Sequence, residues 1–404
     1  MVFVFGVVLF ALGIAVSIAL HEFGHLLTAK AFGMKVTRYF IGFGPKLFSF
    51  RRGETEYGLK AIPAGGFCEI TGMTALEEVH PDDQKRAFYN QRTWKRVVVL
   101  SAGSITHFIV GFIVLYVMAA TMGLPNLKGT PVVEDVAQCV QDSTAGSDPS
   151  RPTCRPDDPA PARTAGLLAG DEIVAVGGVS TPTNADVIAK TRDLDGPTDF
   201  TIVRDGETRV VPVDVTKVRR EVSTTGGGTE VREIGVIGLT FTTNFEYDPL
   251  TAFVGATGFT GDMFVNTWHG LMKFPEKIPA VVRAIGGAER DAETPVSVVG
   301  ASIIGGDAAE RGLWEVFLLM LAGLNFFVGV FNLLPLLPLD GGHIAVNLYE
   351  RVRDWIRKLR GKPAGAPVNY LKLLPLTYVV IFIGGAITLL TVTADIVNPI
   401  RLGQ

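Results

Sequence analysis

The sequence predicts an α-helical polytopic membrane protein with four transmembrane helices, a membrane-associated cytoplasmic β-sheet and an inserted extracytoplasmic α+β domain. Three observations carry that prediction. Of 404 residues, 48% are hydrophobic and the mean hydropathy is +0.33, too apolar for an ordinary soluble chain. Four uncharged runs, 1–20, 97–124, 316–339 and 373–394, each reach the roughly 20 helical residues needed to cross a hydrocarbon layer about 30 Å thick. Lys and Arg crowd into two short connections and are nearly missing from the others. The formal net charge of −3 argues against nucleic acid as the main partner.

The first run lacks the basic flank of a signal peptide, and its apolar character continues past two histidines through Leu26, Leu27 and Ala29. It therefore reads as a retained span over 1–32. Residues 30–96 hold twelve Lys or Arg, and residues 336–370 hold six, clustered between Arg351 and Lys362. Residues 1–20 hold none, and the tail beyond 394 holds only Arg401. By the positive-inside rule both basic connections are cytoplasmic, while both termini and the long segment 125–315 lie outside a plasma (inner) membrane. Cys139 and Cys154 fall in that external segment. They are close enough in sequence for a disulfide that would staple a Pro- and Ser-rich loop, with two free thiols as the alternative. Cys68, on the cytoplasmic side, reads as a packed thiol.

After the first span, "MKVTRYFIGFGPKLFSFRRGETEYGLKAIPAGGFCEITGM" alternates β-formers with Gly and Pro. It predicts two to four short strands over 33–73, with "RRGET" as a turn. Open strand edges cannot face lipid, so this segment belongs at the cytoplasmic interface or along a protein cavity, with an edge free for pairing. Residues 74–96 are polar and predict a surface helix leading into the second span, anchored by Arg92, Lys95 and Arg96.

Outside the membrane, residues 125–220 pattern as a small α+β domain. "TAGLLAGDEIVAVGGVSTPTNADVIAKTRD" gives a helix, a Gly-Asp turn, a strand, a Gly-Gly hairpin and a second helix, and "DFTIVRDGETRVVPVDV" gives a β-hairpin about its "DG" turn. This spelling resembles a PDZ domain of the type found in bacterial envelope proteases. Such domains take peptides by strand addition; one that only blocks access to a membrane site would read the same way. "TTGGGT" is a connector and "EIGVIGLTF" another strand. Residues 249–313 mix apolar and polar positions at helical spacing, which fits a helix along the outer membrane surface or one packed on the external domain. The third span, 314–343, ends in "NLLPLLPLDGG"; a basic loop over 344–370 and a fourth span over 371–396 complete the chain.

The chemistry concentrates in "HEFGH". His21 and His25 are four apart, so on a helix their imidazoles share one face, one turn apart. That spacing suits two nitrogen ligands of a tetrahedral Zn²⁺, with Glu22 placed to accept a proton from a water. Buried polar residues tying helices together are the bland alternative. Three ionisable residues within five positions of a span are costly, however, and mark function. A third ligand is needed, and Asp340 is the best placed, at the cytoplasmic end of the third apolar run. Gly341 and Gly342 permit close backbone approach there, and Pro335 and Pro338 break the helix to re-aim the carboxylate. An aspartate that merely caps the following helix would fit the same position.

With these residues the chain resembles the site-2 protease family of intramembrane zinc metalloproteases, in its bacterial PDZ-containing subgroup. The matching stretches are His21-Glu22-Phe23-Gly24-His25 and Asn332 through His343. The resemblance implies Zn²⁺ held by His21, His25 and Asp340, with Glu22 as general base. It also implies that Asn332 holds the substrate backbone and that the β-rich stretch receives substrate as an added strand. Single-span membrane proteins such as anti-sigma factors, shortened first by a site-1 protease, and remnant signal peptides are the implied substrates. The PDZ segment would act as a size filter or take a peptide or adaptor. Two departures stand out. Leu337 and Pro338 replace the family's usual proline placement, and Gly103-Ser104-Ile105-Thr106-His107 stands where Gly-Pro-x-x-Asn is common. His107 is either an extra ligand or oxyanion donor, or a hydrogen-bonded packing residue; His343 reads as a cap and Asn325 as interhelical glue. A zinc transporter or sensor would need further ionisable residues along the other spans, but 97–124 holds only His107 and 373–394 none. A tethered PDZ scaffold with a dead core is disfavoured by the intact His-Glu-x-x-His and Asp340.

Overall fold

The computed structural model describes residues 1–73, 77–142, 154–223, 229–291 and 293–402. The chain divides into two units: residues 1–122 with 247–404, and residues 123–246.

In the first unit, helix α1 (Val2–Ala31) ends as its glycine predicts. Gly33 takes a positive φ, and the N–H groups of Gly33 and Met34 close on the carbonyls of Lys30 and Ala29. Strands β1 (Val36–Arg52) and β2 (Thr55–Ile70) follow. Their register folds them twice: residues 36–41 pair with 66–70 on one side and 56–59 on the other, while 46–52 pair with 55–60. The result is a four-ribbon sheet turned at Gly53, with the 66–70 ribbon as one edge. Leu26, Ala29, Met34, Val36, Ile70, Phe88, Val99 and Leu100 form the core beneath it. Tyr39 Oη donates to Ala19 O at 2.8 Å and Lys30 Nζ to Tyr57 Oη at 2.9 Å, fixing the sheet to α1.

The surface helix expected over 74–96 is not what forms. Among its described residues, two short 3₁₀ turns, Pro81–Arg86 and Phe88–Asn90, precede the next helix. The side chains of Gln84, Asn90 and Gln91 bond nearby carbonyls, and the backbone N–H groups of Phe88 and Tyr89 bond Thr71 and Gly72. These bonds offer the backbone a better alternative to a helix.

The second span is α2 (Thr93–Thr121). After the inserted unit come α5 (Thr251–Ile285), α6 (Val298–Glu310), α7 (Trp314–Asn332), α8 (Asp340–Leu359) and α9 (Leu374–Val397). Helices α1, α2, α7 and α9 are long and apolar enough to cross a membrane. The segment expected along the membrane surface or on the external domain packs one face on these spans and leaves Val254, Val265, Trp268 and Met272 exposed. Phe253 and Phe264 of α5 meet Phe112 and Phe108 of α2. Helix α6 lies against α1, where a Cβ on Gly305 would meet Phe10 at 2.7 Å. Its Gly and Ala residues permit that approach, which a larger side chain would forbid. Arg290 and Asp395 form an ion pair at 2.6 Å with side chains 2% and 0% exposed, and the Asp395 carboxylate also accepts from Ser297 N–H.

The basic segment expected as a loop over 344–370 is largely helix, because Leu348, Val352, Ile356 and Leu359 recur at helical spacing through α8.

The inserted unit carries β3 (Leu124–Pro125), β4 (Val133–Val136), α3 (Pro161–Thr164), β5 (Glu172–Val176), β6 (Val179–Ser180), α4 (Asn184–Arg192), β7 (Gly196–Arg204), β8 (Glu207–Ser223), β9 (Thr229–Val236), β10 (Leu239–Phe241) and β11 (Asn244–Phe245). Five strands form a sheet in the order β6-β5-β7-β8-β9, β10 pairs with β4, and β11 with β3. The unit therefore outruns the expected boundary at 220, because β9, β10 and β11 pair back onto earlier strands. Ile173, Phe200, Ile202 and Val213 are among the residues of its core. The "AGLLAGD" turn is explained: Gly166 and Gly170 take positive φ, and Asp171 accepts from Leu168 N–H and from Arg204 at 2.6 and 2.7 Å. Burial raises the Asp171 pKa, but these bonds outweigh it and hold the carboxyl below its ordinary value. A groove of about 240 Å³ runs between α4 and β9, lined by Val187, Ile188, Thr191, Ile234 and Phe241 among others. Cys139 and Cys154 are joined as a disulfide with Cα atoms 5.8 Å apart. The loop between them, 143–153, and residues 224–228 of the expected connector lie outside the described residues.

Candidate active site

The histidine pair sits on α1 where it meets α2. Gly24 makes that contact, since a Cβ there would lie 2.5 Å from Thr106 Oγ1 and 2.7 Å from Ala102 O. His25 Nδ1 donates to Val99 O at 2.7 Å. That bond fixes the tautomer and leaves the Nε2 lone pair for a metal. Opposite the pair, α2 presents Gly103, whose Cβ would fall 2.6 Å from both His21 Nε2 and His25 Nε2. Only glycine leaves the space between the two imidazoles open.

Asp340 reaches the same point from 315 positions beyond His25. Helix α7 stops at Asn332, residues 333–339 turn through a cis Leu337–Pro338 bond, and Asp340 opens α8. Gly341 lies against the carbonyls of Leu333 and Leu334, and a Cβ on Gly342 would meet Leu337 N at 2.6 Å. The double glycine thus lets the first turn of α8 nest on the loop and aims the carboxylate back at α1.

The three donor atoms form a near-equilateral triangle. His21 Nε2 and His25 Nε2 are 3.2 Å apart, and each is 3.4 Å from Asp340 Oδ2. In a tetrahedral zinc site with bonds of about 2.0–2.1 Å, neighbouring donors stand about 3.3–3.4 Å apart. The triangle therefore has the edge length of a tetrahedron face, with a fourth position left over. Among the described residues this is the group of three or more His, Cys, Asp or Glu side chains able to hold an ion. The histidines are 8% and 7% exposed, and His21 Nδ1 is buried without a partner among the described residues.

Glu22 lies against the 66–70 ribbon, where a Cβ on Gly66 would come within 2.9 Å of its Cγ. That edge of the sheet thus runs past the acid, which takes a backbone hydrogen bond from Cys68, beside the donor triangle. Tyr39, from the adjacent ribbon, has its pKa pushed up to about 12 by burial and then by the Glu22 charge. The Cys68 thiol is pushed up well above its ordinary value by the same two causes, which keeps it protonated and unreactive.

Residues 9–376 match peptidase family M50. The chain belongs to that family. Over the full length of both chains, this M50 peptidase is 49% identical to zinc metalloprotease Rip1 of Mycolicibacterium smegmatis. It is 48% identical to the protein of that name in Mycobacterium bovis and 47% identical to that in Mycobacterium tuberculosis. With its four apolar helices, the M50 peptidase is a multi-pass membrane protein.

Other residues singled out in the sequence take different places in the peptidase. His107 is not in the donor triangle. Its Nδ1 faces Asn325 Oδ1 at 2.9 Å, while Asn325 Nδ2 donates to Leu321 O, so His107 and Asn325 join α2 to α7. The His107 ring also lies 5.0 Å from that of His21. His343 packs on Tyr370 and stands outside the triangle. Asn332, the last residue of α7, is half-buried, and its amide makes no hydrogen bond among the described residues. Sequence reasoning noted Gly103 only within a departure from Gly-Pro-x-x-Asn and gave it no role, and it missed Gly66, because a glycine in a span or a strand carries no mark of what it faces.

Proposed function

We propose that this M50 peptidase is a zinc metalloprotease that cleaves peptide bonds in or beside the transmembrane segments of other membrane proteins. Its zinc ligands are His21, His25 and Asp340, and its general base is Glu22. The single observation that carries this reading is the largely buried donor triangle, with a carboxylate and an edge ribbon of the sheet beside it. Relatives bearing the name zinc metalloprotease over the full chain support it.

Bound in the triangle, Zn²⁺ supplies Lewis acidity to a water and to the scissile carbonyl. The Glu22 carboxylate takes a proton from the attacking water and returns it to the leaving amine nitrogen. A substrate helix hides its carbonyls in internal hydrogen bonds and must unwind first. The 66–70 edge suits an unwound segment added as a further strand, and Gly66 brings that edge to Glu22. Asn332, with its amide unengaged, is placed to orient the segment's backbone.

The inserted unit reads as a PDZ domain. Its groove between α4 and the unshared edge of β9 has the shape that peptide-adding domains use. Both termini and this domain lie outside the membrane, the zinc site opens toward the cytoplasm, and the domain screens substrates by size. The substrates are single-span proteins such as anti-sigma factors, first shortened by a site-1 protease, together with remnant signal peptides. Cleavage of a single-span substrate by the purified protein, abolished in Glu22→Gln with zinc still bound, is the expected result. Turnover retained in that variant would remove Glu22 from its role. Excision of 123–246 should admit longer substrates, and unchanged selectivity would count against the filter.

A further inference from the structure

Helix α8 wears its polarity inside out. Its inward lane is polar. Asn347 is 3% exposed, Glu350 pairs with Arg96 at 3.1 Å and accepts from Val368 N–H, and Asp354 accepts from Gly365 N–H at 3.0 Å. Its outward lane is apolar: Leu348, Tyr349, Val352, Trp355, Ile356 and Leu359, the last three 60%, 38% and 68% exposed. At 3.6 residues per turn these six fall within a sector of about 120°. Among the described residues, the unpaired charges at the edges of that sector are cations, Arg351 and Lys358 on one side and Arg360 on the other, where Arg353 also stands but pairs with Asp354 at 3.0 Å. The acids of the helix are Asp340, Glu350 and Asp354, and all three have partners: Asp340 the two histidines, Glu350 Arg96, and Asp354 Arg353 and Gly365 N–H. A helix facing water would reverse this arrangement.

We propose that α8 lies in the membrane interface, with its apolar lane among the acyl chains and its two cationic edges on the phosphates of anionic lipids. Charge complementarity selects that occupant. A protein partner would be met by edges of mixed sign, whereas the unpaired charges here, Arg351, Lys358 and Arg360, are all positive and on long stems that snorkel to headgroups. The placement follows the chain as well: only residues 333–339 separate α8 from the span α7. Asp340 is the first residue of this helix, so the lipid surface would also hold one corner of the donor triangle. The inference does not depend on the peptidase reading, and its test involves no cleavage.

The full chain, reconstituted in vesicles of equal parts phosphatidylcholine and phosphatidylglycerol, is measured with dibrominated acyl chains on one lipid or the other. The Trp355 component is the difference between wild type and Trp355→Phe. Quenching of that component by both lipids is expected, with association favouring the anionic lipid by about fivefold or more. That preference should fall toward unity in Arg351→Gln/Lys358→Gln/Arg360→Gln, and in the wild type at about 1 M salt, where the variant's folding is not in question. A Trp355 component quenched by neither lipid would overturn the interfacial placement. Equal quenching by both in the wild type would overturn the anionic seat.

Discussion

Gly103→Ala is the substitution with the most definite consequence. The added Cβ would lie 2.6 Å from each of the two histidine Nε2 atoms and 2.5 Å from His21 Cε1. Ordinary contact begins near 3.4 Å, so relief requires a displacement of about 0.8 Å, whereas metal sites accept about ±0.2 Å. Helix α2 is not free to back away, because Val99 O holds His25 Nδ1 at 2.7 Å and any retreat breaks the bond that orients the ligand. At least one imidazole must leave its place. Disturbing a ligand's support typically lowers metal affinity by about 10- to 100-fold, or about 1.4–2.8 kcal/mol. Zinc occupancy of the detergent-purified protein, titrated against a competing chelator, reads this directly. Gly111→Ala is the control: its Cβ would meet Phe326 at 2.8 Å, disturbing the packing of α2 on α7 away from the triangle. A Gly103→Ala protein that holds zinc within about twofold of wild type would refute the reasoning.

Three further outcomes are expected. Gly66→Ala pushes on Glu22 Cγ from 2.9 Å and should lower kcat by about 10- to 100-fold while bound zinc stays at the wild-type level; loss of zinc would mean that the ribbon supports the ligands instead. Asp171→Asn weakens a pair whose carboxylate is 1% exposed but whose Arg204 reaches solvent, and should destabilise the inserted unit by about 1.5–3 kcal/mol, seen as faster amide exchange in β5 and β7. Because the folded Asp171 pKa is depressed, the wild-type pair contributes fully above the unfolded value near 3.9 and its contribution is lost as pH falls through the folded value; exchange that rises with acidity only in wild type checks this. Cys68, its thiol pushed up by burial and by Glu22, should resist alkylation at about pH 8 until the protein is denatured, and rapid labelling of the folded chain would contradict that environment.

The sequence carried the spans and the zinc-ligand candidates for one reason: both rest on composition and short spacing. An uncharged run of span length and a His-x-x-x-His on one helix face are local facts. The break that turns Asp340 inward was legible from Pro335, Pro338 and the two following glycines. What escaped depended on partners distant in sequence. The segment over 74–96 looked helical until its glutamine and asparagine side chains, and the ribbon at Thr71 and Gly72, claimed its backbone. The boundary of the inserted unit was drawn short because β10 and β11 find their partners β4 and β3 far back in the sequence, Thr240 opposite Asp135 and Asn244 opposite Pro125. Helix α8 could have been found, since Leu348, Val352, Ile356 and Leu359 are spaced for it. The density of Arg and Lys obscured that spacing.

The donor triangle draws its corners from residues far apart in the chain, His21 and His25 on one helix and Asp340 315 positions beyond His25. During synthesis the ribosome has finished most of the polypeptide before the third corner exists. Until then two imidazoles face Gly103 across a gap that lacks a carboxylate. A chain at that stage cannot form the three-donor triangle. The triangle is completed late, by the turn that follows α7.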